Sequence, residues 1–145
     1  MTKRMILHST NHPHLRFPGK EIFRTLNIVY KEEGREIPAL AVICTHNRFI
    51  RKINKSFLAH DTFTDVIAFP PDEDGDVEAE IYINLDAARK QAKKYNVTYT
   101  QETRRLLIHG ALHLFGYDDK TRRKKNTMRK REEYYLALMM RKARM

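Results

Sequence analysis

From Asp86 to the C-terminus the chain keeps a helical rhythm almost without interruption, and every β-prone run lies before it. Strands that are used up by Ile83 leave the later helices only one way to bury their apolar faces, which is to pack on a sheet already built. The expected class is therefore α+β: one small domain spanning 1–145, with a mixed sheet of about four strands packed by helices. A chain of 145 residues can bury a core without disulfides or structural metals.

The local signals place the elements. Met5 to His8 reads as a first strand, and Pro18-Gly19-Lys20 opens a helix in which Ile22, Phe23, Leu26, Val29 and Tyr30 recur at helical spacing before Gly34. Ile37 to Cys44 is an apolar β-prone run, Asn47 to Phe57 is helical, and Thr64 to Phe69 is a strand stopped by Pro70-Pro71. A fourth strand is expected around Ala79 to Ile83. Helices follow over Asp86 to Asn96, from Thr98 or Thr100 to Phe115, and from about Thr121 to Arg144.

No apolar run approaches the roughly 18 residues of a membrane span, and the first residues lack the apolar run of a signal peptide. Cys44 is the one cysteine, which excludes an intrachain disulfide. A cytoplasmic location is the expectation.

The chemistry is concentrated in His109-Gly110-Ala111-Leu112-His113-Leu114-Phe115-Gly116-Tyr117-Asp118-Asp119. Histidines four apart on a helix stand one turn above the other on the same face. Gly116 allows a left-handed exit, after which Asp119 can return toward the two imidazoles. Two His and one carboxylate with a fourth position open to water is a composition of catalytic zinc sites. The spacing also matches the H-E-x-x-H-x-x-G-x-x-H pattern of zinc proteases. Gly110, however, stands where those enzymes carry their glutamate base, so peptide hydrolysis is disfavoured. Asp118 is read as a turn residue or a hydrogen-bond partner of a ligating imidazole.

Charge is unevenly distributed. The net formal charge is +10, and residues 101–145 hold 13 Lys/Arg against 5 Asp/Glu. The densest block, Lys120, Arg122, Arg123, Lys124 and Lys125, continues into Arg129, Lys130 and Arg131 directly after the candidate metal motif. Such a block suits a phosphate backbone; a solvated helix face is the competing account.

The motif from His109 to Asp118 resembles that of the YbeY family of bacterial rRNA maturation endoribonucleases, H-G-x-L-H-L-x-G-Y-D-H, and matches it at every fixed position. Ile53-Asn54 and Asp61 to Phe69 are similar to a second family segment, L-N…T-D-V-L-S-F, and the likeness extends from about Ala39 to Glu133. The resemblance implies one zinc ion held by His109, His113 and the residue at Asp119, where the family usually has histidine. It implies a single-strand-specific endoribonuclease acting in small-subunit rRNA 3′-end processing and ribosome quality control. Its implied partners are ribosomal RNA, the small ribosomal subunit and ribosome-assembly proteins. The family usually carries a functional arginine at the position of Leu58. Arg105, one turn before His109, and His60 are the candidate replacements; a surface or packing role competes for each.

Asp119 also makes a 2-His-1-carboxylate set, a composition shared with non-haem iron sites. The rival to an enzyme is a metal-stabilised RNA-binding assembly factor without catalysis. His12 and His14 are read as residues of a polar surface loop, and Cys44 as a small core residue. Asp72, Asp74, Asp76 and Glu78 alternate as calcium ligands can, but Gly75 and the missing terminal glutamate do not fit an EF-hand loop.

Overall fold

The computed structural model describes residues 6–57, 64–72 and 78–143. The elements run β1 (Ile6–Thr10), α1 (Gly19–Glu32), β2 (Leu40–Thr45), α2 (Asn47–Phe57), β3 (Val66–Phe69), β4 (Ala79–Asn84), α3 (Leu85–Tyr95), α4 (Tyr99–Leu114) and α5 (Arg122–Ala143). One sheet has the order β1-β2-β4-β3. Its first three strands are parallel, and β3 runs antiparallel to β4. This is the mixed α+β sheet expected. β2 begins at Leu40 instead of Ile37, because pairing starts where Ile6 meets Leu40 and Leu40 meets Ala79.

Alternation along the strands divides the core. Leu40, Val42 and Cys44 lie level with Ala79, Ile81 and Ile83, and these six join residues of α1, α3, α4 and α5 in the main cluster. The opposite face offers Ile67, Tyr82 and Phe69 to Ile50 and Ile53 of α2. Among the described residues, α1, α3 and α4 lie on one face with α5 packed over α4 and α1, and α2 packs on the other. On α1 the buried positions Ile22, Thr25, Leu26, Val29 and Tyr30 repeat at helical spacing. Phe23, placed on that stripe by the sequence reading, is exposed, because it falls beside the buried arc.

The central helix is α4. Thr98 and Gln101 form a reciprocal capping box, with the Gln101 N–H donating to Thr98 Oγ1 at 3.0 Å and the Thr98 N–H to Gln101 Oε1 at 2.9 Å. Buried residues occupy most of its circumference. A Cβ on Gly110 would stand 2.8 Å from Cγ2 of Ile81 and 3.3 Å from Cγ2 of Val66, so glycine is what lets α4 lie this close to the sheet. The helix ends with Gly116 at φ +100°. The Tyr117 N–H reaches the carbonyl of Leu112 and the Gly116 N–H that of His113, each at 3.0 Å, the paired bonds of a Schellman ending. That reversal carries Asp119 back toward the helix.

Candidate metal centre

His109 and His113 project from the last two turns of α4, and Asp119 from the segment just after it. One donor atom from each lies within 4.8 Å of the others. The two Nε2 atoms are 3.0 Å apart, and Asp119 Oδ2 is 3.7 Å from His109 Nε2. A tetrahedral zinc site with bonds of 2.0–2.1 Å has ligand-to-ligand edges of about 3.3 Å. The three groups thus fit a divalent cation with little movement, and their donor set suits zinc. All three are partly exposed, which leaves a path for solvent.

Burial, and then the neighbouring His109, hold the His113 imidazole below its ordinary pKa, and Asp119 opposes them. A neutral imidazole is the metal-binding form. His109 has a further partner: its Nδ1 lies 2.7 Å from Oε2 of Glu132 on α5. Burial alone would raise the Glu132 carboxyl, but His109 and Arg105 hold it below the usual carboxylate range. Arg105 donates from Nη1 to Glu132 Oε1 at 2.9 Å. It also makes a two-pronged contact with Glu102, Nε to Oε1 at 2.9 Å and Nη2 to Oε2 at 2.6 Å. A cleft of about 440 Å³ borders Glu102, Arg105 and Glu132 between α5 and the segment around Tyr95 and Val97.

Glu132 is the residue that sequence reasoning missed. Its signal was present: Met128, Glu132, Tyr135 and Met139 follow one another at helical spacing, and all four are buried. A carboxylate on the apolar stripe of a basic helix needs a partner inside the fold.

The other candidates divide. Asp118 is a turn residue, accepting from the Lys120 N–H at 3.0 Å and from Lys124 Nζ at 3.2 Å. Lys120, Arg122, Arg123, Lys124, Lys125, Arg129 and Lys130 are exposed. Arg131 instead turns inward, donating to Glu33 and to the Tyr135 hydroxyl while lying over the rings of Tyr134 and Tyr135. Leu58, His60, Asp74 and Asp76 lie outside the described residues.

His12 is buried, contrary to its reading as a surface-loop residue. Its Nδ1 accepts from the His14 and Leu15 N–H groups at 3.1 and 2.9 Å, and its Nε2 donates to Asp86 Oδ1 at 2.8 Å. Asp86 Oδ2 in turn accepts the Asn47 N–H at 3.0 Å, at the start of α2. Cys44 is buried in β2 as expected, and burial pushes its thiol up to about 12.

The family model for endoribonuclease YbeY matches residues 14–140. The chain belongs to the endoribonuclease YbeY family. It is 41% identical over 111 residues to an endoribonuclease YbeY of Chlorobaculum tepidum, covering 77% of this chain and 81% of the relative. It is 36% identical over 135 residues to that of Chlorobium chlorochromatii, covering 93% and 86%. A solution structure of a Thermotoga maritima protein superposes with a TM-score of 0.63 at 28% identity, covering 91% of this chain and 87% of that one. Membership joins the His109–His113–Asp119 cluster to a family of RNA-hydrolysing enzymes. No helix among the described residues is long and apolar enough to cross a membrane.

Proposed function

We propose that this chain, working as one domain over residues 1–145, is a cytoplasmic, zinc-dependent, single-strand-specific endoribonuclease. Its RNA is that of the small ribosomal subunit, in 3′-end maturation and in ribosome quality control, alongside ribosome-assembly proteins. The observation that carries the reading is the convergence of His109, His113 and Asp119, with the two Nε2 atoms 3.0 Å apart.

His109, His113 and Asp119 would hold the ion. When bound, it supplies Lewis acidity to a phosphodiester and to water. The exposed cations from Lys120 to Lys130 hold flanking phosphates and align the strand. Arg131 belongs less to that surface, since Glu33 and Tyr135 take up its donors. Arg105 is likewise committed to Glu102 and Glu132. Glu132, the buried carboxylate beside the site, is engaged as well, since both of its oxygens accept hydrogen bonds. Gly110 faces Ile81 and Val66 of the sheet, so a protease-type glutamate has no place there.

Single-turnover cleavage of a small-subunit rRNA fragment tests the proposal, with metal-free protein and His109→Ala as controls. Cleavage that needs both the ion and His109 supports it. Equal cleavage by the metal-free chain would overturn it, and tight binding without cleavage would leave a non-catalytic assembly factor.

A further inference from the structure

We propose that Glu132, pinned by Arg105 and Glu102, sets the tautomer and ring orientation of His109 and so acts as a positioning relay for the metal site. The inference rests on the metal reading above. A neutral imidazole carries its proton on one nitrogen and a lone pair on the other, and only the lone pair binds a cation. An ionised carboxylate only accepts hydrogen bonds. With Glu132 Oε2 at 2.7 Å from Nδ1, the proton of His109 belongs on Nδ1. The lone pair then belongs to Nε2, the atom facing His113 Nε2 at 3.0 Å.

The carboxylate is itself immobilised. Its other oxygen takes the Arg105 Nη1 proton at 2.9 Å, and Arg105 is clamped by both oxygens of Glu102. Glu102 also accepts from Gln91 Nε2 at 2.6 Å. The relay therefore crosses from α5 through α4 to α3. Glu132 and Glu102 are 4% and 2% exposed, and burying two carboxylates around one arginine is a costly way merely to join helices. Aiming a metal-binding lone pair gives that arrangement a purpose. It also gives Arg105 a role other than phosphate contact.

The test begins with the metal-free full chain, labelled with ¹⁵N-histidine and read by long-range ¹H–¹⁵N correlation. His109 should show the Nδ1–H tautomer. Zinc affinity, measured by competition with a chelating dye, should fall about 10- to 100-fold in Glu132→Gln. Arg105→Met should shift it in the same direction, with the far-ultraviolet spectrum of both variants unchanged. A wild-type His109 carrying its proton on Nε2 would overturn the relay, as would an unaltered zinc affinity in Glu132→Gln. If the wild-type chain takes up no divalent ion, the metal reading fails, and the tautomer spectrum alone still decides the relay. The same spectrum decides it if Glu132→Gln does not fold.

Discussion

The Tyr117 hydroxyl donates to Glu33 Oε1 at 3.1 Å, tying the segment that carries Asp119 to the C-terminal end of α1. Glu33 also accepts from Arg131 and Tyr135 of α5. Three elements thus meet on one carboxylate. Burial alone would raise this carboxyl, yet the bonds from Tyr135, Arg131 and Tyr117 bring it below its reference value of 4.5.

That depression has a sign. A carboxylate whose folded pKa lies below the unfolded one contributes stability above the unfolded value and loses it as pH falls through the folded value. Glu33→Gln should lower stability near neutrality by about 1–3 kcal/mol. Its deficit against the wild type should shrink as pH drops below about 4.5. Urea unfolding at a series of pH values measures this, and a deficit constant with pH would refute it.

Metal loading should be visible without any RNA. Zinc at a hundredfold excess over its dissociation constant adds about 2.7 kcal/mol to stability, enough to raise the melting temperature by several degrees. His113→Ala should keep its circular dichroism spectrum, purify without metal and melt at the same temperature with or without chelator. Elemental analysis beside calorimetry checks both statements.

Gly110→Ala sets two effects against each other. Removing a helix-interior glycine gains about 0.8–1.0 kcal/mol of helix propensity. The added methyl would press on Ile81 Cγ2 at 2.8 Å, a fully buried, β-branched side chain with little freedom to turn. Overpacking of this kind costs about 1–3 kcal/mol, so the variant should unfold at lower urea concentration. A rise in the midpoint would mean that α4 can move off the sheet.

The exposed and inward cations of α5 should separate in a salt series. Single Gln substitutions at Lys125, Arg129 or Lys130 should each flatten the plot of log affinity for single-stranded RNA against log salt, by about 0.7 per lost phosphate contact. Arg131→Gln should leave that slope unchanged and lower the melting temperature, because it removes the cationic partner that Glu33 shares with Tyr117 and Tyr135. Wild-type slopes in the Lys125, Arg129 and Lys130 variants would remove this surface from RNA binding.

Much of the site was legible locally. His109 and His113 share a face because helical spacing requires it, and Gly116 turns the chain back because its φ of +100° is open to glycine. The start of α4 was bracketed by Thr98 and Thr100, and the structure chose Thr98, whose side chain pairs with Gln101. Glu132 was not legible as a partner. It sits in Arg129-Lys130-Arg131-Glu132-Glu133, which reads as solvated charge until α5 is laid on α4. The partners of Arg105 were hidden in the same way, since its helical face says nothing about which carboxylates another helix brings. His12 escaped because its Asp86 partner, 74 residues further on, meets it only once the first loop packs against α3.

Periodicity, caps and turn glycines depend on neighbours a few residues away, and so the chain alone determined its helices, its strands and the spacing of the candidate ligands. Tertiary packing decided which nitrogen of His109 faces the site, because that choice needs Glu132, 23 residues further on. It also decided which basic residues remain free for an anion. Buried charges must find partners, and those partners are assigned by how helices meet, which no local pattern encodes.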